Sequence, residues 1–270
     1  MARRLLLACA LLAGCASVPR PKQPFVDPAQ ALSFHQLARE RVQSIRAEAR
    51  VDQRGADGRI KGTVLMFVQR PDRVRFDAMT QFGPAAILTS AGERFAYADL
   101  RERRFLTGET CPKNIARMLN MPLRVDQTIA LLLGGTPVIE HDQAEIAWND
   151  DGFYRVKLRG RDGGRQEIDF GIPQRDAQFP PNRQELRLLR SEIYDRAGKS
   201  QLRAVYDDYR PVAYGTYHIA MPYEVRVEQP QAGGDTLIRF KQIELNVQVP
   251  EGAFAQEPPP GTTQEEASCD

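Results

Sequence analysis

Histidine, tryptophan and lysine are scarce in this chain. Its 270 residues include three histidines, one tryptophan and, among 37 basic residues, only six lysines. His35, His141 and His218 leave little for proton-transfer or metal chemistry. No HExxH, GxSxG or GxGxxG pattern occurs. Gly198-Lys199-Ser200 matches the end of a phosphate loop, but Ile193 stands where the first glycine is required, so a hairpin turn is expected. Asp150-Asp151 and Asp207-Asp208 read as turn residues. The chain is therefore expected to have no catalytic residues, no metal ligands and no cofactor. Long apolar runs are also missing. The longest, Leu5 to Ala13, has nine residues, against roughly 20 for a membrane-spanning helix.

That short run has a telling context. Arg3 and Arg4 precede it, and Leu12-Ala13-Gly14-Cys15 closes it. A basic start, a short apolar stretch and small residues mark an export leader. The final four residues resemble the bacterial lipobox, in which the cysteine is acylated and becomes the first residue of the mature chain. The resemblance implies a leader over residues 1–14 and a lipid anchor on Cys15. Ala16 follows, with no aspartate, which resembles an outer-membrane address on the periplasmic face. Removing residues 1–14 takes two basic residues and leaves 35 basic against 35 acidic. Zero net charge argues against a nucleic-acid partner.

Cys9 leaves with the leader and Cys15 is the anchor. Cys111 and Cys269 remain, an even pair suited to an oxidising compartment. Either they form a disulfide that ties the C-terminal tail to the domain, or they stay two separate thiols. A lone pair of cysteines is a poor zinc signal.

Residues 16–26 are Pro-rich and aperiodic, so residues 15–26 read as the anchor and an extended, solvated tether. Asp27-Pro28 predicts a helix start, with Ala31, Phe34, Leu37, Ala38, Val42 and Ile45 at helical spacing. Arg39, Glu40, Arg41 and Arg46 lie beside that stripe, compatible with a fixed helix or an opening lid. The period then changes to two. Val74, Phe76 and Ala78 alternate with charged residues, as do Tyr154, Val156 and Leu158, and Ile168 and Phe170. Tyr217, Ile219, Met221, Tyr223, Val225 and Val227 form one long stripe, with Pro222 marking an edge or a kink. Ile238 and Phe240 differ in parity from Ile243, Leu245 and Val247, which predicts a bulge at Lys241 to Gln242. Between Cys111 and Leu133 the pattern is helical again and closes on Gly134-Gly135. These readings predict a mainly β, α+β fold over residues 27–254. Roughly a dozen antiparallel strands form a curved half-barrel whose concave face is covered by helices. Residues 255–270 are expected to be a disordered tail.

The order of pieces from Gly62 to Glu109 resembles the LolA/LolB superfamily of periplasmic lipoprotein carriers and outer-membrane acceptors. Arg70-Pro71 ends a strand, Arg75-Phe76 follows in the next, and Ala91-Gly92-Glu93 and Tyr97 come after. Ile129–Gly135, Met221-Pro222-Tyr223 and the strand Ile243–Val247 fit the same order, most closely that of LolB-like lipoproteins. A wider insertion, Gly171 to Asn182, departs from it. The resemblance implies a cavity for the acyl chain of a lipid or lipoprotein, walled by Val64, Met66, Val74, Phe76, Phe95, Tyr97, Ile219, Met221 and Tyr223. It also implies an exposed apolar residue at Phe82 that meets a membrane, a periplasmic carrier or another envelope protein. Read as residues alone, the same stripes are compatible with ordinary core, and Phe82 with a packed strand end. Two functions follow: a lipid-binding, lipoprotein-localising lipoprotein, or a non-catalytic interaction module with a closed core.

Overall fold

The computed structural model describes residues 18–55 and 58–269. Helix α1 (Pro28–Glu40) precedes β1 (Ser44–Gly55), β2 (Gly58–Gln69), β3 (Arg73–Thr80), β4 (Gly83–Ala91), β5 (Arg94–Asp99) and β6 (Arg104–Glu109). Helices α2 (Pro112–Leu119) and α3 (Val125–Leu132) follow. The chain returns to strands with β7 (Gln143–Trp148), β8 (Tyr154–Arg159), β9 (Arg165–Gly171) and β10 (Arg187–Tyr194). It ends with β11 (Ser200–Tyr214), β12 (Tyr217–Gln229), β13 (Gly234–Leu245) and β14 (Thr263–Ala267).

Among the described residues, 14 strands form one open sheet, ordered β14-β6-β5-β4-β3-β2-β1-β13-β12-β11-β10-β9-β8-β7. Every pairing is antiparallel except β14 on β6. Laid flat, such a sheet would be roughly 60 Å wide. Yet Leu106 of β6, Val156 of β8 and residues of all three helices share one contiguous buried cluster. The sheet therefore wraps around its helices. On the outer face, polar strand positions form cross-strand ion pairs, such as Arg155–Asp169 and Arg190–Asp169.

The predicted bulge falls on Lys241. Glu48 pairs with Gln242 and Ala49 with Phe240, so Lys241 is the extra residue. It restores one face, and Ile238, Phe240, Ile243 and Leu245 are all buried. Asp27 caps α1, its carboxylate accepting from the Ala29 amide at 2.9 Å. The helix stops at Glu40, short of the expected stripe. Val42 and Ile45 are buried, but Ile45 already belongs to β1. The long β12 stripe is also buried only in part. Tyr217 is 74 % exposed, because β12 pairs with β13 only over Glu224–Gln229 and its first residues run beyond that partner.

Two segments differ from expectation. The predicted solvated tether is packed over its described part. The Lys22 amide donates to the Ala177 carbonyl at 2.9 Å, and the Gln184 side chain donates to the Gln23 carbonyl at 3.0 Å. Phe25 is buried, its ring 5.8 Å from Phe34 and edge-on at 5.6 Å to Tyr154. Prolines leave few amide donors to satisfy, so an aperiodic strand-like strap can dock with few hydrogen bonds. The Gly171–Asn182 insertion supplies its dock, through Ala177 in a short 3-10 turn.

The expected disordered tail is ordered as far as residue 269. The Gln256 amide donates to Thr89 Oγ1 at 3.0 Å, and β14 then adds in parallel to β6. A Cβ on Gly108 would meet the Ala267 carbonyl oxygen at 2.4 Å, so only glycine lets the two strands approach. Cys111 and Cys269 are joined as a disulfide, with Cα atoms 6.1 Å apart. Composition pointed to disorder here; the disulfide and the free edge of β6 override it.

Candidate functional site

Inward positions of β2 to β6 line up across the strands. Met66 stands opposite Phe76, Phe76 opposite Leu88, Leu88 opposite Tyr97, and Tyr97 opposite Leu106. Val68, Val74, Ser90 and Phe95 form the next row. Val64, Met66, Val74, Phe76 and Phe95 thus share one face of the sheet, each no more than 4 % exposed. Helix side chains fill the space before them. Ile115, Leu119, Ile129 and Leu132 are fully buried in the same cluster, with α2 against β4 and α3 against β3. The middle of the concave face is closed.

The structure does not bring the three β12 residues to that wall. Strands β1 and β13 separate β12 from β2. Met221 is buried beside Arg39 of α1, whose Nη1 lies 3.7 Å from its sulfur. Ile219 is half-buried at the margin, and the Tyr223 ring carries the Arg210 guanidinium at 4.4 Å.

One end of the wall is open. A third row is rich in small residues: Ala49 stands opposite Val64, Val64 opposite Ala78, and Ala78 opposite Ala86, and Gly62 opposite Val51 continues the same inward face one step along β2. Their missing side-chain volume leaves a pocket of about 300 Å³ between the sheet and Met118 of α2. Val64 and Tyr97 line it from within, and Lys61, Arg101 and Arg117 lie around it. Burial, aided by Asp99, holds the Tyr97 phenol above its ordinary pKa, so it stays a neutral donor. A pocket of this size is at the lower end of the range for small ligands.

Phe82 stands two residues beyond Thr80, which itself lines the pocket. Its amide donates to Thr80 Oγ1 at 3.2 Å, and that hydroxyl donates to the Gly83 carbonyl at 2.8 Å. The tight turn pushes the ring outward, 91 % exposed, and Ile60 on β2 is 60 % exposed. The strand-end core reading of Phe82 does not hold in this structure. The sequence reading missed Ile60 and the small-residue row. Its signal was there: glycine and alanine at inward positions where neighbouring strands carry larger residues. Cys15 lies outside the described residues.

No protein-family model and no curated protein matches the sequence. Solved structures do share its architecture. The fold resembles that of LolA superfamily proteins. A LolA superfamily protein from Nitrosomonas europaea superposes with a TM-score of 0.53 at 12% identity, covering 86% of this chain and 99% of that one. A DUF1329 family protein from Desulfovibrio piger gives 0.55 at 11%, covering 84% and 97%. An outer membrane lipoprotein-sorting protein domain from Vibrio parahaemolyticus gives 0.51 at 10%, covering 85% and 97%. Identities this low establish shared fold alone.

Proposed function

We propose that this chain is a LolB-like envelope lipoprotein, anchored through an acylated Cys15 at the periplasmic face of the outer membrane. It takes an acyl chain of a lipid or lipoprotein into the pocket beneath α2 and performs no catalysis. The observation that carries this reading is the apolar pocket with an exposed aromatic, Phe82, on the adjoining turn. A chain leaving water gains roughly 25 cal/mol per Å² of apolar surface buried, with no chemical step. Growth of the small pocket along the wall requires α2 to move away from β4. Phe82 contacts the donor, whether a membrane or a periplasmic carrier.

The closed centre of the concave face favours a second reading, an interaction module that binds another envelope protein and no lipid. Native mass spectrometry on residues 16–270, exported to a bacterial periplasm, separates the two. Adducts of lipid mass that vanish on denaturation support the first. A bare protein that also ignores a fluorescent fatty acid refutes it and leaves the second.

A further inference from the structure

At the other end of the strands lies a second cleft, of about 520 Å³, between α1 and the chain leaving α3. Beside it β12 splits from β13. Residues 217–223 of β12 pair with β11 on one side only. The last turn of α1 fills the gap. Arg39 is buried there, 7 % exposed, and its Nη1 donates to the Ala220 carbonyl at 2.9 Å. That acceptor sits opposite Pro211, which has no amide to offer.

One carbonyl does not compensate a buried guanidinium. Arg39 Nε is buried with no hydrogen-bond partner. Arg70 lines the same cleft, and its Nε donates to the Val42 carbonyl at 3.1 Å. Among the described residues no carboxylate lies within ion-pair distance of either arginine. Burial lowers the pKa of both and Arg70 repels Arg39, opposed at longer range by Tyr209 and Glu185 at Arg39 and by Glu40 at Arg70. Glu40 is exposed at the rim and accepts from the Gln36 amide at 2.8 Å. His35, one turn before Arg39, is held neutral, its pKa pushed down to about 3 by burial and then by Arg39. The remaining wall is mainly apolar, with Leu32, Ala130, Val138 and Phe170, and carries Ser33, Gln36, Thr136 and His141 as its polar members. Two guanidinium groups without a paired carboxylate, beside mainly apolar walls, describe an amphiphile: an anionic oxygen head with a hydrocarbon chain.

We propose that this cleft binds a single-chain fatty acid, its carboxylate on Arg39 and Arg70 and its chain along Leu32, Val138 and Phe170. The site is separate from the pocket beside Phe82 and does not depend on acyl uptake there.

Titration calorimetry with decanoate, decanol, acetate and inorganic phosphate tests it on the exported chain. Decanoate is expected to bind at least tenfold more tightly than decanol, because a charge-assisted bond to each guanidinium is lost with the carboxylate. Acetate and phosphate are expected to show no saturable heat at millimolar concentration. Arg39→Met and Arg70→Met each weaken decanoate at least tenfold. Val138→Trp, at a half-exposed position, abolishes binding without altering the thermal transition, so the test survives if Arg39→Met fails to fold. Ile60→Arg, at the other pocket, leaves in place the part of decanoate binding that Arg70→Met removes. Equal affinity for decanol and decanoate overturns the proposal. So does phosphate binding as tightly as decanoate, or decanoate binding that Arg70→Met and Val138→Trp leave intact.

Discussion

Gly152 lies directly against Val18: a Cβ on Gly152 would sit 2.9 Å from the Val18 amide nitrogen and 3.0 Å from its carbonyl oxygen. Gly152 also has φ of 91°, which other residues rarely adopt. Gly152→Ala is expected to lift the strap while leaving the sheet folded. Hydrogen exchange reads this directly. The Lys22 amide, bonded to Ala177, should exchange at least tenfold faster, and the Ile168 amide at its former rate. Equal rates at Lys22 would show that the strap does not depend on this contact.

The Cys111–Cys269 bond closes a sequence separation of 158 residues. Constraining so long a loop stabilises a fold by about 2–5 kcal/mol. Cys269→Ser is expected to lose that much in urea unfolding and to free β14 from β6. Thiol counting on the denatured, unreduced mature chain should find neither cysteine reactive.

Lys241 matters by its backbone. Its ammonium reaches Glu48 at 2.6 Å, but that pair is exposed. Lys241→Ala should therefore be neutral within about 0.5 kcal/mol. Deleting Lys241 removes the bulge and turns Ile243 and Leu245 to the outer face. The deletion variant is expected not to fold cooperatively; circular dichroism on heating distinguishes the two.

Phe82→Glu removes an exposed ring and no packing. Its thermal transition should match the wild type, while acyl transfer or vesicle binding falls. A variant with unchanged transfer would exclude Phe82 from the contact surface.

His35 ties stability to pH. Its ordinary pKa near 6.5 falls to about 3 in the fold, so below pH 6.5 the unfolded chain takes up a proton that the folded chain refuses. Stability is complete above pH 6.5 and declines toward pH 3, by up to about 1.4 kcal/mol per pH unit. His35→Gln should flatten that slope, measured by urea unfolding at pH 7 and pH 4.5.

Residue patterns made much of this fold legible. Asp27 announced α1, the parity break announced Lys241, and Gly134 closed the helical insert at φ of 76°. Alternation identified β3, β8 and β9 with their buried faces. Periodicity has no purchase on segments that pack without a period, so the strap around Phe25 and the tail around Gln256 read as solvated. The site was half legible. Val64 and Tyr97 share a pocket, but nothing local says that β1 and β13 stand between them and Met221. Arg39 was grouped with charged neighbours on α1, because only the distant split of β12 from β13 buries it.

The docked strap would also shorten any mooring at Cys15. Cys15 is three residues before Val18, a reach of at most about 11 Å. Val18 abuts the β7–β8 turn, whereas Phe82 tips the β3–β4 turn at the opposite strand ends. An acylated Cys15 would hold one rim of the half-barrel close to the bilayer and restrict its tumbling. Phe82 would then tip the strand ends that such an anchor leaves free.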